Sequence, residues 1–304
     1  MSQKQQKNSY THSFLLLLTA TVWGLAFVAQ SVGMDDVGPY TFLGVRSILA
    51  VLALLPVVGF ISRRVANEAV PRHFSRHDRR PLFVGGSICG VLLFFGMILQ
   101  QIGIQYTTIG KAGFITTSYV VMVPLLGVFL RRHVGLKLWI AVVLSVLGLY
   151  LLCMTPGELS INKGDFIILL SAVVYTLHIT VIDHYAPEVN GVLFSFLQMV
   201  VVAVIGVAAM FVFEDPQMAA ISRAFLPIAY AGVFSSGVGF TLQMIGQKGV
   251  SPTVASLIMS LESCISLLAG WAILGEVMSQ RELFGCVLMF VAIILSQLPS
   301  RVKK

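Results

Sequence analysis

Long uncharged apolar runs alternate with short polar connections along the 304-residue chain. A helix that crosses a bilayer needs about 20 mostly apolar residues. Ten segments meet that need: 13–31, 38–60, 82–104, 109–130, 135–153, 165–184, 189–212, 224–246, 252–274 and 281–298. In hydrocarbon every backbone N–H and C=O has to be paired within its own element or in a closed barrel. A barrel would show two-residue alternation and no 20-residue apolar run. The pattern therefore predicts an all-α integral membrane protein of ten transmembrane helices. The first run follows a short basic lead, as a secretory signal does, but it continues to about Ser31 without a small-x-small cleavage site and predicts a retained span.

Composition sharpens this. Hydrophobic residues make up 57% of the chain and charged ones only 11%, against about 25% charged in soluble domains. That excludes a soluble enzyme, a free nucleic-acid-binding domain and a disordered chain. The 20 Lys and Arg are informative by loop, because cytoplasmic loops retain an excess of them. Fifteen fall on one set of alternating connections, four on the other, and Arg46 lies inside the second span. Both termini are thus expected in the cytoplasm, with 1–12 and 299–304 as cytoplasmic tails of a multi-pass protein in the cytoplasmic (inner) membrane. The run PRHFSRHDRR within 71–80 reads as part of the most basic cytoplasmic loop, so no nucleic-acid partner is expected. Cys89, Cys153, Cys264 and Cys286 lie in or beside apolar runs with no close pair, which suggests neither a disulfide framework nor a metal site. No phosphate-binding loop, H-E-x-x-H or Gly-x-Ser-x-Gly motif occurs. Neither a cofactor nor ATP-driven pumping by this chain is expected.

The two halves repeat weakly. LQQIGIQYTTIGKAGF (99–114) aligns without gaps on LQMIGQKGVSPTVASL (242–257), pairing Gln100 with Gln243 and Gly103 with Gly246. The shift is five spans, an odd number, so the second copy enters the membrane from the opposite side. Inverted repeats with a midplane site between them are a transporter architecture. WGLAFVAQSVG (23–33) with Arg46, AGFITTSYVVMVPLLGVFLRRH (112–133) and ASLIMSLESCISLLAGWAILGE (255–276) resemble the EamA-type branch of the drug/metabolite transporter superfamily. The resemblance implies two inverted five-helix repeats, 14–153 and 165–298, and movement of small organic metabolites. One departure stands out: the family's second repeat usually reads Leu-Glu-Pro where this chain has Leu261, Glu262 and Ser263, so the proline that would kink the helix is missing.

Glu262 lies near mid-depth of the ninth span, where a carboxylate costs at least about 2.5 kcal/mol unless it faces a wet cavity or a partner. It is a candidate substrate-ammonium partner or proton site, or a structural carboxylate bonded to a neighbouring Ser or Thr. Arg46 is either a gate that clamps an anion or a structural charge paired with carbonyls or with Asp35 or Asp36. Thr19, Trp23, Ala26 and Gln30 share one helical face, as do Ser171, Tyr175 and His178. Superposing the repeats pairs Trp23 with Tyr175 and Thr19 with Ser171. Gln100 and Gln243 pair likewise, and Tyr119 aligns with Glu262. Trp23, Gln100, Tyr119, Tyr175, His178, Gln243 and Glu262 are therefore the candidate substrate-binding residues, expected to face a cavity and to contribute little packing.

The function these features predict is a non-enzymatic secondary transporter of small organic metabolites such as amino acids, expected to export them by alternating access. Its partners would be a small-molecule substrate, membrane lipid and, as a coupling ion, the proton; the chain would be a monomer or weak homodimer. The alternative is an intramembrane enzyme or lipid-modifying protein, which would need clustered acids or histidines at one depth. A channel should show pore-lining charged rings or carbonyl-rich glycine motifs, and none is visible.

Overall fold

The computed structural model describes residues 3–67, 80–107, 109–153, 162–274 and 279–297. Arg72, Arg76 and Arg79 of the basic loop, residues 154–161 of the mid-chain connection and the C-terminal tail lie outside them. The described residues form α1 (Gln3–Gly33), α2 (Pro39–Asn67), α3 (Arg80–Ile104), α4 (Ile109–Thr116), α5 (Tyr119–Phe129), α6 (Leu136–Cys153), α7 (Lys163–Tyr185) and α8 (Gly191–Phe213). After these come α9 (Met218–Arg223), α10 (Phe225–Ala229), a π-helical stretch (Tyr230–Gly239), α11 (Phe240–Gln247), α12 (Pro252–Met259), α13 (Glu262–Leu274) and α14 (Gln280–Gln297). Eight helical stretches among the described residues are long and apolar enough to cross a membrane. The fifth and tenth expected spans contain the shorter apolar helices Leu136–Leu151 and Leu283–Ser296.

Local chemistry sets the boundaries. Asn162 accepts from the Asp165 N–H at 2.8 Å while Asp165 accepts from the Asn162 N–H at 3.0 Å, a capping box that starts α7. Asn190 and Ser251 cap α8 and α12. The start of α2 is capped from another part of the chain: Glu214 accepts from the N–H groups of Tyr40 (3.0 Å) and Thr41 (2.7 Å) and from the Thr41 hydroxyl (2.6 Å). Those first-turn donors have no intrahelical acceptor.

Three expected spans are not continuous α-helices. The fourth breaks at Thr117–Ser118 between α4 and α5, and the ninth at Ser260–Leu261 between α12 and α13. At the breaks hydroxyls turn back on their own chain: Thr117 donates to Gly113 O (2.8 Å), Ser118 to Ile115 O (2.6 Å) and Ser260 to Leu257 O (2.8 Å). Such bonds compete with the helical ladder, so the ninth span breaks without the proline. The eighth span passes through the π-helical stretch, which has a wider, looser ladder.

In packing, α6 lies on α14, α2 on α8, α3 on both α7 and α8, and α1 on α11 and α13. Close approach needs glycine at some crossings. A Cβ on Gly24 would fall 2.7 Å from Glu262 O and 2.6 Å from Ile265 Cβ, so only glycine lets α1 lie this near the break in the ninth span. The connections sort into two groups. Asp36 pairs with Arg223 (2.6 Å), Glu214 with the start of α2, and Thr107 with Asp165 (2.5 Å). At the other end Arg132 pairs with Asp183, and His12 meets Ile245 O at 2.9 Å.

Candidate functional site

Nearly every inner helix sends a side chain to one central, partly open cavity. α1 contributes Trp23, Ala26 and Gln30; α2 contributes Arg46; α3 contributes Met97 and Gln100. α4 and α5 supply Thr116 and Tyr119, α7 supplies Tyr175 and His178, and the π-helical stretch supplies Ser235. Phe240 and Gln243 of α11, Met259 of α12 and Glu262 of α13 complete the polar and aromatic lining. All seven candidate substrate-binding residues and Arg46 are thus brought to the same cavity. Thr19 and Ser171 share their helical faces but do not line it. Thr19 donates to Leu15 O and Gly239 O, and Ser171 to Gly96 O at 2.8 Å.

The two broken helices meet here. Glu262 and Tyr119, aligned between the repeats, are the first residues of α13 and α5. Buried at 4% and 3% exposure, they touch: the Tyr119 hydroxyl donates to Glu262 Oε1 at 2.9 Å. Beside them the Thr117 and Ser263 hydroxyls lie 3.1 Å apart, and Ser263 also donates to Gly113 O at 3.1 Å. The carboxylate's bonding partner is therefore a tyrosine, while Ser263, the residue that replaces the family's proline, ties one break to the other.

Arg46 corrects an expectation. Its acid partner is neither Asp35 nor Asp36; Asp36 is engaged by Arg223. Arg46 is 3% exposed and donates through Nε to Ser236 Oγ (3.0 Å), through Nη2 to Ser235 Oγ (3.3 Å) and through Nη1 to Gln30 Oε1 (3.4 Å). Its guanidinium also lies 5.8 Å from the Phe42 ring centroid. The ion pairs among the described residues join Asp36 to Arg223 and Asp183 to Arg132. Neither Arg46 nor Glu262 takes part in one. A cation and a carboxyl group without counter-charges inside an apolar bundle are tolerable where a cavity admits water or ligand.

Neutral polar groups fill the rest of the wall. Gln100 donates to Thr116 Oγ1 (3.1 Å) and accepts from the Tyr175 hydroxyl (3.4 Å). His178 Nε2 lies 3.1 Å from Gln198 Oε1, and its ring meets Phe240 edge-on at 6.0 Å. Trp23 donates to Ser235 O at 3.1 Å and packs at 4.8 Å on Phe240. Gln243, 1% exposed, has an Oε1 with no hydrogen-bond partner. The lining residues that sequence inspection missed are Thr116, Ser235, Phe27, Phe240, Ile179, Met97 and Met259. Ser235 is signalled only by the Ser-Gly-rich run 232–239, which carries no helical periodicity.

The model of the EamA-like transporter family matches residues 11–154 and again 162–298. The chain belongs to the EamA-like transporter family. Relatives of this EamA-like chain include an uncharacterized transporter of Archaeoglobus fulgidus, 28% identical across 93% of the chain and 84% of the relative. The transporter YdfC of Bacillus subtilis is 23% identical across 94% and 90%. The inner membrane transporter YedA of Escherichia coli K12 is 22% identical across 90% and 86%. A solved crystal structure superposes with a TM-score of 0.74 over 94% of this chain and 96% of its own, at 14% identity. That likeness concerns the fold. The chain is a multi-pass membrane protein of a transporter family.

Proposed function

We propose that this EamA-like protein is a ten-helix secondary transporter that carries a small organic metabolite through the central cavity by alternating access. The observation that carries this reading is the meeting of both broken helices, with Tyr119 and Glu262 as their first residues, at a cavity lined from both halves of the chain. Discontinuous helices at a midplane site are what carriers built from inverted repeats use. The packing supports five-helix repeats 14–153 and 165–298. Shifting each contact by five spans turns α6 on α14 and α2 on α8 into themselves, and turns α3 on α7 into α1 on α11. Two separate family matches, 11–154 and 162–298, fall on the same halves.

The two groups of connections support the alternation of faces on which the charge count rests, and the excess of Lys and Arg on one set supports assigning that set to the cytoplasm. Asp36, Arg223, Glu214, Thr107 and Asp165 belong to connections assigned outside by the charge count; His12, Arg132 and Asp183 belong to those assigned inside. Export is the expected direction, with the proton as coupling ion. The alternative, an intramembrane enzyme or lipid-modifying protein, finds no support in the pairings: Glu262 meets Tyr119 and His178 meets Gln198, rather than each other. The test is solute counterflow in proteoliposomes across amino acids, nucleobases and sugars. Accumulation of a labelled solute driven by its unlabelled counterpart is expected, together with labelling of an R72C variant only from the cytoplasmic face. Absence of counterflow for every class would overturn the carrier reading.

A further inference from the structure

A buried apolar cluster lies beyond each end of the cavity. The first is Phe27, Ile104, Ala112 and Ile168. Phe27 lines the cavity, and each of the others stands one or two turns beyond a lining residue of its own helix: Ile104 beyond Gln100, Ala112 beyond Thr116 and Ile168 beyond Tyr175. By the charge count all four lie towards the outer face. The second cluster includes Leu16, Ile179 and Ala255 and lies towards the cytoplasmic face. Ile179 lines the cavity, while Leu16 and Ala255 stand beyond the lining residues Trp23 and Met259.

The two clusters match residue by residue under the repeat alignment. The superposition that pairs Trp23 with Tyr175 also pairs Phe27 with Ile179 and Leu16 with Ile168. The one that pairs Gln100 with Gln243 also pairs Ala112 with Ala255 and Thr116 with Met259. Backbone packing repeats with them. A Cβ on Gly103 would meet Ile168 and fall 3.1 Å from Gly164 O; a Cβ on its counterpart Gly246 would meet Leu16 and fall 3.1 Å from His12 O, and His12 is the counterpart of Gly164.

One position departs from the match. The counterpart of Ile104 is Gln247, and both are buried, at 7% and 3% exposure. Gln247 stands one turn beyond Gln243 on α11, and its Nε2 donates to the carbonyl oxygen of Ile179 at 3.2 Å. It is therefore seated on the second cluster, and that bond fixes which end of its amide is the acceptor. Among the described residues Gln247 Oε1 has no hydrogen-bond partner, and neither has Gln243 Oε1 one turn nearer the cavity. A buried acceptor left unpaired is costly, and water relieves it. Bringing Ile104 into water has the opposite sign, because it exposes apolar surface. Hydration thus favours the parting of the second cluster and opposes the parting of the first.

We propose that these clusters are the two gates of the cavity, an outer one closed around Ile104 and a cytoplasmic one closed around Gln247. Gln247 is a water-binding gate residue that makes the cytoplasmic gate the easier of the two to open. The assignment rests on the carrier reading of the cavity, and the two fail separately.

The test labels Ala26→Cys, in a background free of the native cysteines, with an impermeant thiol reagent from each face of oriented vesicles. A separate R72C preparation identifies the cytoplasmic face. The readout is the ratio of the cytoplasmic to the outer labelling rate, in which the intrinsic reactivity of the thiol cancels. The ratio is expected to exceed one without any gate substitution. Q247I should lower it by about 10- to 100-fold by slowing the cytoplasmic reaction, the range for an acceptor that water no longer satisfies; the nearly isosteric Q247M should act in the same direction. I104Q should lower it by quickening the outer reaction, and the exchange variant I104Q/Q247I should be labelled faster from outside. A ratio of one or less without a gate substitution overturns the assignment, and that measurement needs no gate variant to fold. Ratios left within twofold by Q247I, Q247M and I104Q overturn it as well. Counterflow with unmoved ratios would refute the gates and leave the carrier reading standing; ratios that move as expected in a protein with no counterflow would do the opposite.

Discussion

Gly239 lies so close to Trp23 that a single methyl group should dislodge the indole. A Cβ at Gly239 would fall 2.5 Å from Trp23 Nε1 and 3.1 Å from its Cδ1. Gly239→Ala therefore pushes the ring from its seat and breaks its hydrogen bond to Ser235 O. Overpacking costs about 1 to 3 kcal/mol, the lost neutral hydrogen bond about 1 kcal/mol, and replacing a helical glycine by alanine returns about 1 kcal/mol. The expected net loss is about 1 to 3 kcal/mol on these three terms. In a Trp23→Ala background the ring and the bond are already gone. Only the propensity gain remains, so the same change should stabilise by up to about 1 kcal/mol. The two substitutions are thus coupled by about 2 to 4 kcal/mol. Denaturant unfolding of wild type, both single variants and the double variant in mixed micelles measures it. Additivity within about 0.5 kcal/mol would refute the seating of Trp23 against Gly239. Counterflow should fall in Gly239→Ala, because the displaced ring turns towards the cavity it lines. Trp23→Ala should itself cost stability, contrary to the expectation that cavity residues contribute little packing. The indole is half-buried and touches two separate apolar clusters.

Other expectations follow from named contacts. Glu214→Ala removes the carboxylate that caps α2 and should destabilise by about 1 to 3 kcal/mol, with thermal unfolding as the readout. Ser263→Ala removes the hydroxyl that joins the two helix breaks; a loss of about 1 kcal/mol is expected, and adding Thr117→Ala should cost less than the sum, because the two share a contact. Asp36→Asn breaks an ion pair whose Arg223 side chain is 62% exposed, so unfolding should shift by no more than about 1 kcal/mol; a larger loss would mark this pair as a structural lock.

The apolar runs were legible because hydrocarbon imposes length and pairing rules that a sequence must display. The cavity lining was legible for a related reason. Polar and aromatic residues in membrane helices are expensive enough to be conspicuous, and Trp23, Arg46, Gln100, Tyr119, Tyr175, His178, Gln243 and Glu262 share one cavity. What stayed hidden depends on competition within the backbone or on contacts across the whole chain. The helix breaks arise from hydroxyls such as Thr117 and Ser260 bonding to nearby carbonyls, and the same residues are tolerated inside unbroken helices: Thr176 donates to Ala172 O without interrupting α7. The π-helical stretch has no periodic signature. Arg46 finds its partners Ser235 and Ser236 about 190 residues away, and no local pattern announces that choice over the nearer Asp36.

The central claim is that this cavity faces each side of the membrane in turn. Ala26 lines it at 1% exposure, and Ala26→Cys in a background free of the native cysteines places a small thiol there. Impermeant thiol reagents applied to right-side-out and inside-out vesicles should label that cysteine from both faces, and a transported solute should slow both reactions. Labelling from one face only, at a rate indifferent to every solute that shows counterflow, would contradict the account.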